Sequence, residues 1–268
     1  MSLWRDLFVV NAFAAHPFGG NPAAVIELDA WPADAILQTV AAQMNLSETA
    51  FVMPQAQGHW ELRWFTPLRE VPFCGHATLA SAHVLIAHRG SAGPVTFDTQ
   101  VGRIDVSRSA AGYTLDLPRH DPEPTEVPAD FAASLPATPR GAFRNFENLF
   151  LVFDDPAAVR QARPDLAAAR ALSFGGVALT APGTPSDGAD FISRYFAPAG
   201  GIDEDPVTGS THATLAPYWA DRLGKAQLRA YQASARGGWL DCLVGPARVS
   251  VGGAAATVLE GRLRWPDG

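Results

Sequence analysis

The sequence predicts an α+β protein that is predominantly antiparallel and built twice over. Three observations support this prediction: the length, strings that recur in the same order in the two halves, and short strand-like segments that outnumber the helical patterns. The chain has 268 residues, and since a domain has roughly 150 residues, two modest domains fit. With 47% hydrophobic and 18% charged residues, the composition is that of a folded protein.

Four short strings of the first half return in the second half. The pairs are Asn21–Val25 with Asp155–Val159, Arg63–Pro67 with Arg194–Pro198, His76–Ala80 with His212–Ala216, and Gly102–Val106 with Gly238–Cys242. Each match is weak alone, but the shared order predicts an internal duplication into 1–118 and 119–268. Six prolines crowd the junction over Leu117–Arg140 and predict irregular structure there.

The first half alternates strand and helix patterns. Short segments rich in β-branched or aromatic residues predict strands at Leu7–Phe13, Ala50–Met53 and Leu62–Phe65. Pro32 opens a helix whose apolar residues recur at helical spacing, and a second helix is expected over His76–His88. The closing strands are expected at Val95–Phe97, Arg103–Ser107 and Tyr113–Leu117.

The second half repeats this order. Strands are expected at Asn148–Phe153, Gly176–Thr180 and Phe191–Phe196. A helix is expected over Thr211–Leu223, and further strands between Leu228 and Leu263 complete the half.

Charge and cysteine content limit the possible partners and the compartment. The formal net charge is −7 and no run of Lys or Arg occurs, which argues against a nucleic-acid or anionic membrane surface and favours a small-molecule partner. The two cysteines have no paired spacing, so a reducing compartment is expected. No secretion signal and no apolar run of about 20 residues occurs, and we therefore predict a cytoplasmic protein.

Two similar loops precede the paired helices, Glu70–His76 and Glu204–Ser210. In each, a glycine, Gly75 or Gly209, stands just before the helix. The first amides of a helix have no internal partner and carry partial positive charge, so two such ends could bind a carboxylate. The alternative is that both glycines are turn residues and Ser210 is a helix cap. Their recurrence in both halves favours a binding role.

Glu48 lies between the first helix and an apolar strand. A solvated glutamate in a surface turn is the simplest interpretation. However, Phe51, Val52 and Met53 follow, and apolar surroundings raise the pKa of a carboxyl group and suit it to exchange protons. The corresponding segment of the second half, Leu172–Gly176, has no acid. This predicts that proton transfer belongs to one side of the duplication.

Several strings together resemble the phenazine-biosynthesis PhzF-like family. They are GNPAAV at 20–25, LSETAFV at 46–52, RWFTP and CGHATLA within 63–80, EDPVTGS at 204–210 and APYWADRLGK at 216–225. The resemblance runs from Phe8 to about Gly261. It implies a fold similar to diaminopimelate epimerase, with two pseudosymmetric halves that each curl a sheet around a central helix, and with the site between the halves.

The resemblance also implies roles for individual residues. Glu48 matches the general acid and base, while His76 and Asp205 match catalytic residues that orient the substrate. The remaining matches are substrate-binding residues: Asn21, Gly75, Gly209 and Ser210. The implied activity is cofactor-independent isomerisation, in which a proton moves between carbons of a small cyclic or unsaturated carboxylate. A homodimer is a further expectation from the family.

No metal or cofactor is expected. The sequence has no HExxH, CxxC, GxxxxGK[ST] or GxGxxG motif, and His76 and His83, seven residues apart, have no third ligand in the sequence pattern. Cys74 stands where epimerases of this fold keep a catalytic thiol, but the opposite loop has Asp205, so we expect Cys74 in the pocket or core. Cys242 is expected in the core. The alternatives are a carboxylate-binding or protein-interaction module and, less favoured, a cysteine racemase.

Overall fold

The structure is a computed structural model that describes residues 4–14, 16–110 and 112–266, so the first three residues of the predicted N-terminal half lie outside it. The chain divides into two compact units. The N-terminal unit comprises Met1–Asp116 and Gly252–Gly268, and the C-terminal unit comprises Leu117–Val251. The chain passes from one unit to the next near the predicted junction at 118 and returns near its end.

The N-terminal unit combines a sheet with two helices. Its elements up to residue 118 are β1 (Trp4–Ala12), β2 (Asn21–Glu27), α1 (Asp34–Met44), β3 (Glu48–Pro54), β4 (Trp60–Phe65), β5 (Glu70–Val71), α2 (Gly75–Ala87), β6 (Val95–Thr99), β7 (Gly102–Ser109) and β8 (Gly112–Pro118). β1 runs antiparallel to β2, which is parallel to β3 across α1. β3 is antiparallel to β4, β4 is parallel to β6 across α2, and β6 is antiparallel to β7.

Helix α2 is the central helix of this unit. Most of its residues are buried, and it contacts β1, β2, β3, β6 and β7. Four alanines, a serine and a glycine in its sequence allow this close approach, because small side chains let strands pack near the helix backbone. The predicted helix over His76–His88 is therefore confirmed with a shift of one residue at each end.

The C-terminal unit repeats the same order. Its elements are β9 (Glu123–Thr125), α3 (Ala129–Ala132), β10 (Gly141–Arg144), β11 (Asn148–Val152), α4 (Pro156–Gln161), α5 (Leu166–Ala171), β12 (Gly176–Pro182), β13 (Phe191–Ala197), β14 (Ile202–Asp205), α6 (His212–Leu223), β15 (Gln227–Gln232), β16 (Gly238–Val244) and β17 (Arg248–Gly253). β10 is antiparallel to β11, β11 is parallel to β12, and β12 is antiparallel to β13. β13 is parallel to β15, and β15 is antiparallel to β16. The first eight residues of α6 are buried, as expected for a central helix.

The last strand belongs to the N-terminal unit. β18 (Ala255–Arg264) pairs antiparallel with β1 from Trp4 to Ala12. These backbone hydrogen bonds explain why 252–268 lies in the N-terminal unit, whereas the predicted halves assigned it to the C-terminal half, 119–268.

Two sequence interpretations need correction. The string Asn21–Val25 forms strand β2, whereas its supposed counterpart Asp155–Val159 enters helix α4, because the Asp155 side chain accepts a hydrogen bond from the Ala157 amide and Pro156 fits the first helical position. The proline-rich junction was expected to be irregular but contains β9 and α3. Pro128 is the N-cap of α3, a position where a missing N–H costs nothing.

Among residues 4–14, 16–110 and 112–266, no helix has the length and apolarity needed to cross a bilayer.

Candidate active site

A paired arginine and glutamate hold the loop before each central helix. In the N-terminal unit, Nε and Nη2 of Arg63 donate to the two carboxylate oxygens of Glu70 at 2.7 Å each. In the C-terminal unit, Arg194 makes the same two-pronged contact with Glu204 at 2.7 and 2.9 Å. Because a bidentate pair fixes both groups in a plane, it fixes the position of the residues that follow.

Helix α2 begins in this fixed loop. Its N-cap residue, Cys74, makes no side-chain cap hydrogen bond, and Gly75 is the first helical residue. Both residues are buried. The first amides of α2 have no acceptor within the helix, so they form a positively polarised end suited to an anion.

Glu48 and His76 meet at this helix end. Glu48 is the first residue of β3 and is buried, with 9% of its surface exposed. His76 is the second residue of α2 and is 3% exposed. Its Nε2 lies 3.2 Å from Oε2 of Glu48. The other ring nitrogen, Nδ1, lies 3.0 Å from Nδ2 of Asn21, the first residue of β2.

These contacts define the protonation of His76. Burial lowers the pKa of His76 to about 3, so the imidazole is neutral at pH 7. The Asn21 amide donates to Nδ1, which places the single ring proton on Nε2. Nε2–H then lies toward the Glu48 carboxylate, although this 3.2 Å contact does not have the geometry of a hydrogen bond. Asn21 contacts this histidine and orients it, and its role in binding substrate stays a prediction.

Cys74 completes this cluster. Its Sγ lies 3.4 Å from Nδ1 and 4.0 Å from Nε2 of His76. One ligand-type atom each of Glu48, Cys74 and His76 lies within 4.8 Å of the others. His76 therefore has two possible metal ligands beside it, Glu48 and Cys74. The sequence pattern did not show this group, because Glu48 lies on β3, far from the helix in sequence. Cys242, by contrast, is buried on β16, and burial raises the pKa of its thiol.

The loop before α6 has a different set of contacts. Asp205 ends β14 and is buried, and it accepts a hydrogen bond from the Thr208 hydroxyl. Gln232 on β15 accepts from the Thr208 amide at 2.9 Å and donates to the Asp205 carbonyl at 2.8 Å. Gly209 and Ser210 form the turn that leads into α6, and Thr211 rather than Ser210 holds the N-cap position.

His212 occupies the place in α6 that His76 occupies in α2. Burial lowers the pKa of His212 to about 4, so it too is neutral at pH 7. Its Nδ1 lies 2.8 Å from the Thr208 carbonyl, which can only accept, so Nδ1 carries the proton. His212 therefore supports the loop instead of facing a carboxylate.

The predicted site residues divide between the two units. The N-terminal unit holds Glu48, His76, Asn21 and Gly75, and brings the first three into one chain of contacts. The C-terminal unit holds Asp205, Gly209 and Ser210. Thr208 and Gln232 were missed. Thr208 lies inside the EDPVTGS string, whereas Gln232 follows 24 residues later on a strand and has no sequence signal.

Comparison with known proteins identifies the family. Residues 10–261 match the family model described as phenazine biosynthesis-like protein. The chain belongs to this family. It is 45% identical over 256 residues to an uncharacterised isomerase of Pseudomonas aeruginosa, with 95% of this chain and 97% of the relative covered.

Solved structures agree with this assignment. The structure of a PhzF-family phenazine biosynthesis protein from Enterococcus faecalis has a TM-score of 0.91 at 42% identity, and covers 97% of this chain and 99% of its own. A hydroxyproline epimerase from Agrobacterium vitis has a TM-score of 0.70 at 10% identity, and covers 99% of this chain and 94% of its own. The second likeness concerns the fold alone. The predicted α+β, epimerase-like fold class is confirmed.

Proposed function

We propose that this member of the family is a cofactor-independent isomerase, with Glu48 as general acid and base. Its substrate class would be a small cyclic or unsaturated carboxylate. The observation that carries the proposal is the buried Glu48 carboxylate 3.2 Å from Nε2 of a neutral histidine. The isomerase name of the relative that is 45% identical supports the reaction class.

The reaction begins when a Glu48 oxygen takes a proton from a carbon conjugated with the substrate carboxylate. The C–H bond breaks, an O–H bond forms on Glu48, and the electron pair stays on the substrate, delocalised toward its acid group. The first amides of α2, beginning at Gly75, are donors of the kind that stabilise such charge. While it is protonated, Glu48 exchanges part of this hydrogen with solvent, and it then delivers a proton to a second carbon. The sequence is redox-neutral and balanced.

His76 prepares Glu48 for this role. The Nε2–H group lies 3.2 Å from the carboxylate and attracts it as a dipole, and the buried, neutral ring does not transfer its proton to Glu48. A charged histidine at the same place would favour the anionic carboxylate strongly and weaken it as a base. The neutral ring therefore positions the Glu48 carboxylate and lowers its basicity less than a charged histidine would.

Asp205, Gly209 and Ser210 keep the substrate-orienting and substrate-binding roles that the family resemblance implies, and these roles stay predictions. The contact from Thr208 fixes the Asp205 carboxylate, as expected for a side chain that must orient a ligand.

The proposal is tested with a panel of cyclic and unsaturated carboxylic acids. Each acid is incubated with the purified protein in heavy water, and thermal stabilisation and deuterium incorporation are measured for each. We expect at least one acid that both stabilises the protein and gains deuterium at a carbon position. An acid that binds tightly but never exchanges a carbon-bound proton would contradict the proposal and favour a binding module. Deuterium incorporation that alkylation of Cys74 abolishes, but that survives in Glu48→Gln, would favour a cysteine racemase.

A further inference from the structure

We propose that Glu48, Cys74 and His76 bind a soft divalent cation, best matched by Zn²⁺, and that the bound metal inhibits the isomerase. Binding rests on the residues themselves, whereas inhibition rests on the proposed function of Glu48. The three side chains bring a carboxylate, a thiol and an imidazole within 4.8 Å of one another, and these are the ligand types that zinc prefers.

The donor spacing fits a tetrahedral zinc ion. Zinc bonds of about 2.0 Å to nitrogen and oxygen and about 2.3 Å to sulfur separate neighbouring donors by roughly 3.2 to 3.6 Å. Nε2 of His76 lies 3.2 Å from Oε2 of Glu48 and 4.0 Å from Sγ of Cys74. The first distance already matches, and the second requires only a small movement of the thiol.

Charge also favours zinc in this buried place. A thiolate and a carboxylate neutralise the two positive charges of the ion, so the complex adds no net charge to a low-dielectric site. His76 presents Nε2 on the side of the ring that faces Oε2 of Glu48, so both atoms can reach one ion. Cys74 releases its thiol proton to the buffer when the sulfur–zinc bond forms.

Asn21 supports the bound histidine. Zinc on Nε2 moves the ring proton to Nδ1, which then needs an acceptor. The Asn21 amide lies against Nδ1, and rotation of the amide by half a turn presents Oδ1 in place of Nδ2. A hydrogen bond from the second ring nitrogen to an oxygen is the usual support for a zinc-bound histidine.

Bound zinc would occupy both atoms on which proton transfer depends. Oε2 of Glu48 and Nε2 of His76 would become metal ligands, so the carboxylate could no longer exchange protons with carbon. Three protein ligands leave a fourth position for solvent or for a carboxylate. We therefore expect a soft, thiol-seeking cation to inhibit, and Mg²⁺, which prefers oxygen ligands, to have no effect.

Cobalt spectroscopy tests the binding on the full chain without an activity measurement. Co²⁺ is added to the wild type, Cys74→Ser and the control Cys242→Ser, and circular dichroism verifies the fold of each. We expect one Co²⁺ per chain, with a thiolate-to-cobalt absorption band that Zn²⁺ displaces. The band should disappear in Cys74→Ser and persist in Cys242→Ser. A band that survives in Cys74→Ser, or is absent from the folded wild type, would overturn the proposal.

Calorimetry adds the second ligand and separates binding from inhibition. Zn²⁺ affinity should fall at least about 100-fold in His76→Asn, since loss of a ligand costs more than loss of a supporting hydrogen bond. Unchanged affinity would refute the site. If no carboxylate is isomerised, the cobalt band still decides the binding proposal. If isomerisation continues at full rate with zinc bound in the site, the inhibitory part is refuted while the proposed function stands.

Discussion

The starts of α2 and α6 carry the same string, His-Ala-Thr-Leu-Ala, but use it differently. His76 has its proton on Nε2 and faces the Glu48 carboxylate. His212 has its proton on Nδ1 and donates to the Thr208 carbonyl within its own loop. Both rings are buried and neutral. The difference shows that the neighbours of a histidine, and not the local string, decide whether it serves a proton site or a structural contact.

The strand that begins at Glu48 also differs from the corresponding strand of the C-terminal unit. Glu48 begins β3 opposite Ala23 of β2, and Gly176 begins β12 opposite Asn148 of β11. A side chain at Gly176 would collide with the ring of Tyr195, whose hydroxyl donates to Asn148 at 2.8 Å. At the start of β12, the Tyr195 ring therefore occupies the place of a side chain on Gly176. At the start of β3, the corresponding residue is the acid Glu48.

Replacement of Glu48 should have the largest effect. Glu48→Gln keeps the shape of the side chain but cannot exchange protons, so turnover should fall at least about 100-fold while the fold and ligand binding remain. Deuterium exchange into the substrate measures the change. Glu123→Gln, on exposed strand β9, is the matched control and should retain full turnover. Full activity in Glu48→Gln would remove the carboxylate from the mechanism.

The two histidines should respond in opposite ways to the same substitution. His76→Asn loses the Nε2–H that faces Glu48. We expect this group to donate to the carboxylate once substrate is bound, so turnover should fall by about 10- to 100-fold, the value of a hydrogen bond to a charged group. His76→Gln, whose amide can reach the Nε2 position, should recover part of this loss. His212→Asn keeps a donor near Nδ1, so turnover per folded molecule should stay within about twofold while stability falls. Equal turnover losses in His76→Asn and His212→Asn would contradict the distinction.

A methyl group at Gly176 tests whether the Tyr195 ring occupies the space beside this residue. Gly176→Ala should lower the free energy of unfolding by about 1 to 3 kcal/mol because the new Cβ collides with the Tyr195 ring. Denaturant unfolding measures the loss. Tyr195→Ala removes the ring with which the new Cβ collides. Gly176→Ala should therefore lower the free energy of unfolding less in a Tyr195→Ala background than in the wild type. Additive losses would mean that the ring does not fill this position.

Acid should destabilise the protein through both histidines. Each has an ordinary pKa of 6.5 when unfolded, and a native pKa of about 3 for His76 and about 4 for His212. Below pH 6.5 each histidine binds a proton in the unfolded chain but not in the native protein. Each therefore lowers the free energy of unfolding by about 1.4 kcal/mol per pH unit, down to its native pKa. Between pH 6.5 and 4, the free energy of unfolding of His212→Asn should fall with decreasing pH less steeply than that of the wild type, by that amount. Denaturant unfolding at several pH values measures both slopes. Identical slopes for wild type and variant would contradict neutral burial of His212.

Local patterns predicted much of the fold. The strands and central helices follow from apolar spacing and β-branched segments, and three of the four repeated strings occupy equivalent elements. Strand β2 was missed because Asn21–Val25 contains proline and alanine and reads weakly as a strand. It forms because Ala23, Ala24 and Val25 are buried, with β1 and β3 pairing on either side.

The candidate site was predicted as residue types but not as contacts. The family strings pointed to Glu48 and His76, and Glu48 could be singled out from its apolar neighbours. The tautomer of His76 depends on Asn21, which lies 55 residues away and reaches it only through the pairing of β2 with β3 beside α2. Such contacts depend on tertiary packing, and no local pattern encodes them.

Nitrogen-15 NMR of His76 tests the central feature most directly and needs no substrate. The spectrum of the wild type, assigned by comparison with His76→Gln, reports which ring nitrogen carries the proton at pH 7. We predict a neutral ring with its proton on Nε2, unchanged when the pH is lowered to about 5, since the native pKa is about 3. A charged imidazolium, or a proton on Nδ1, would contradict a neutral donor poised toward Glu48.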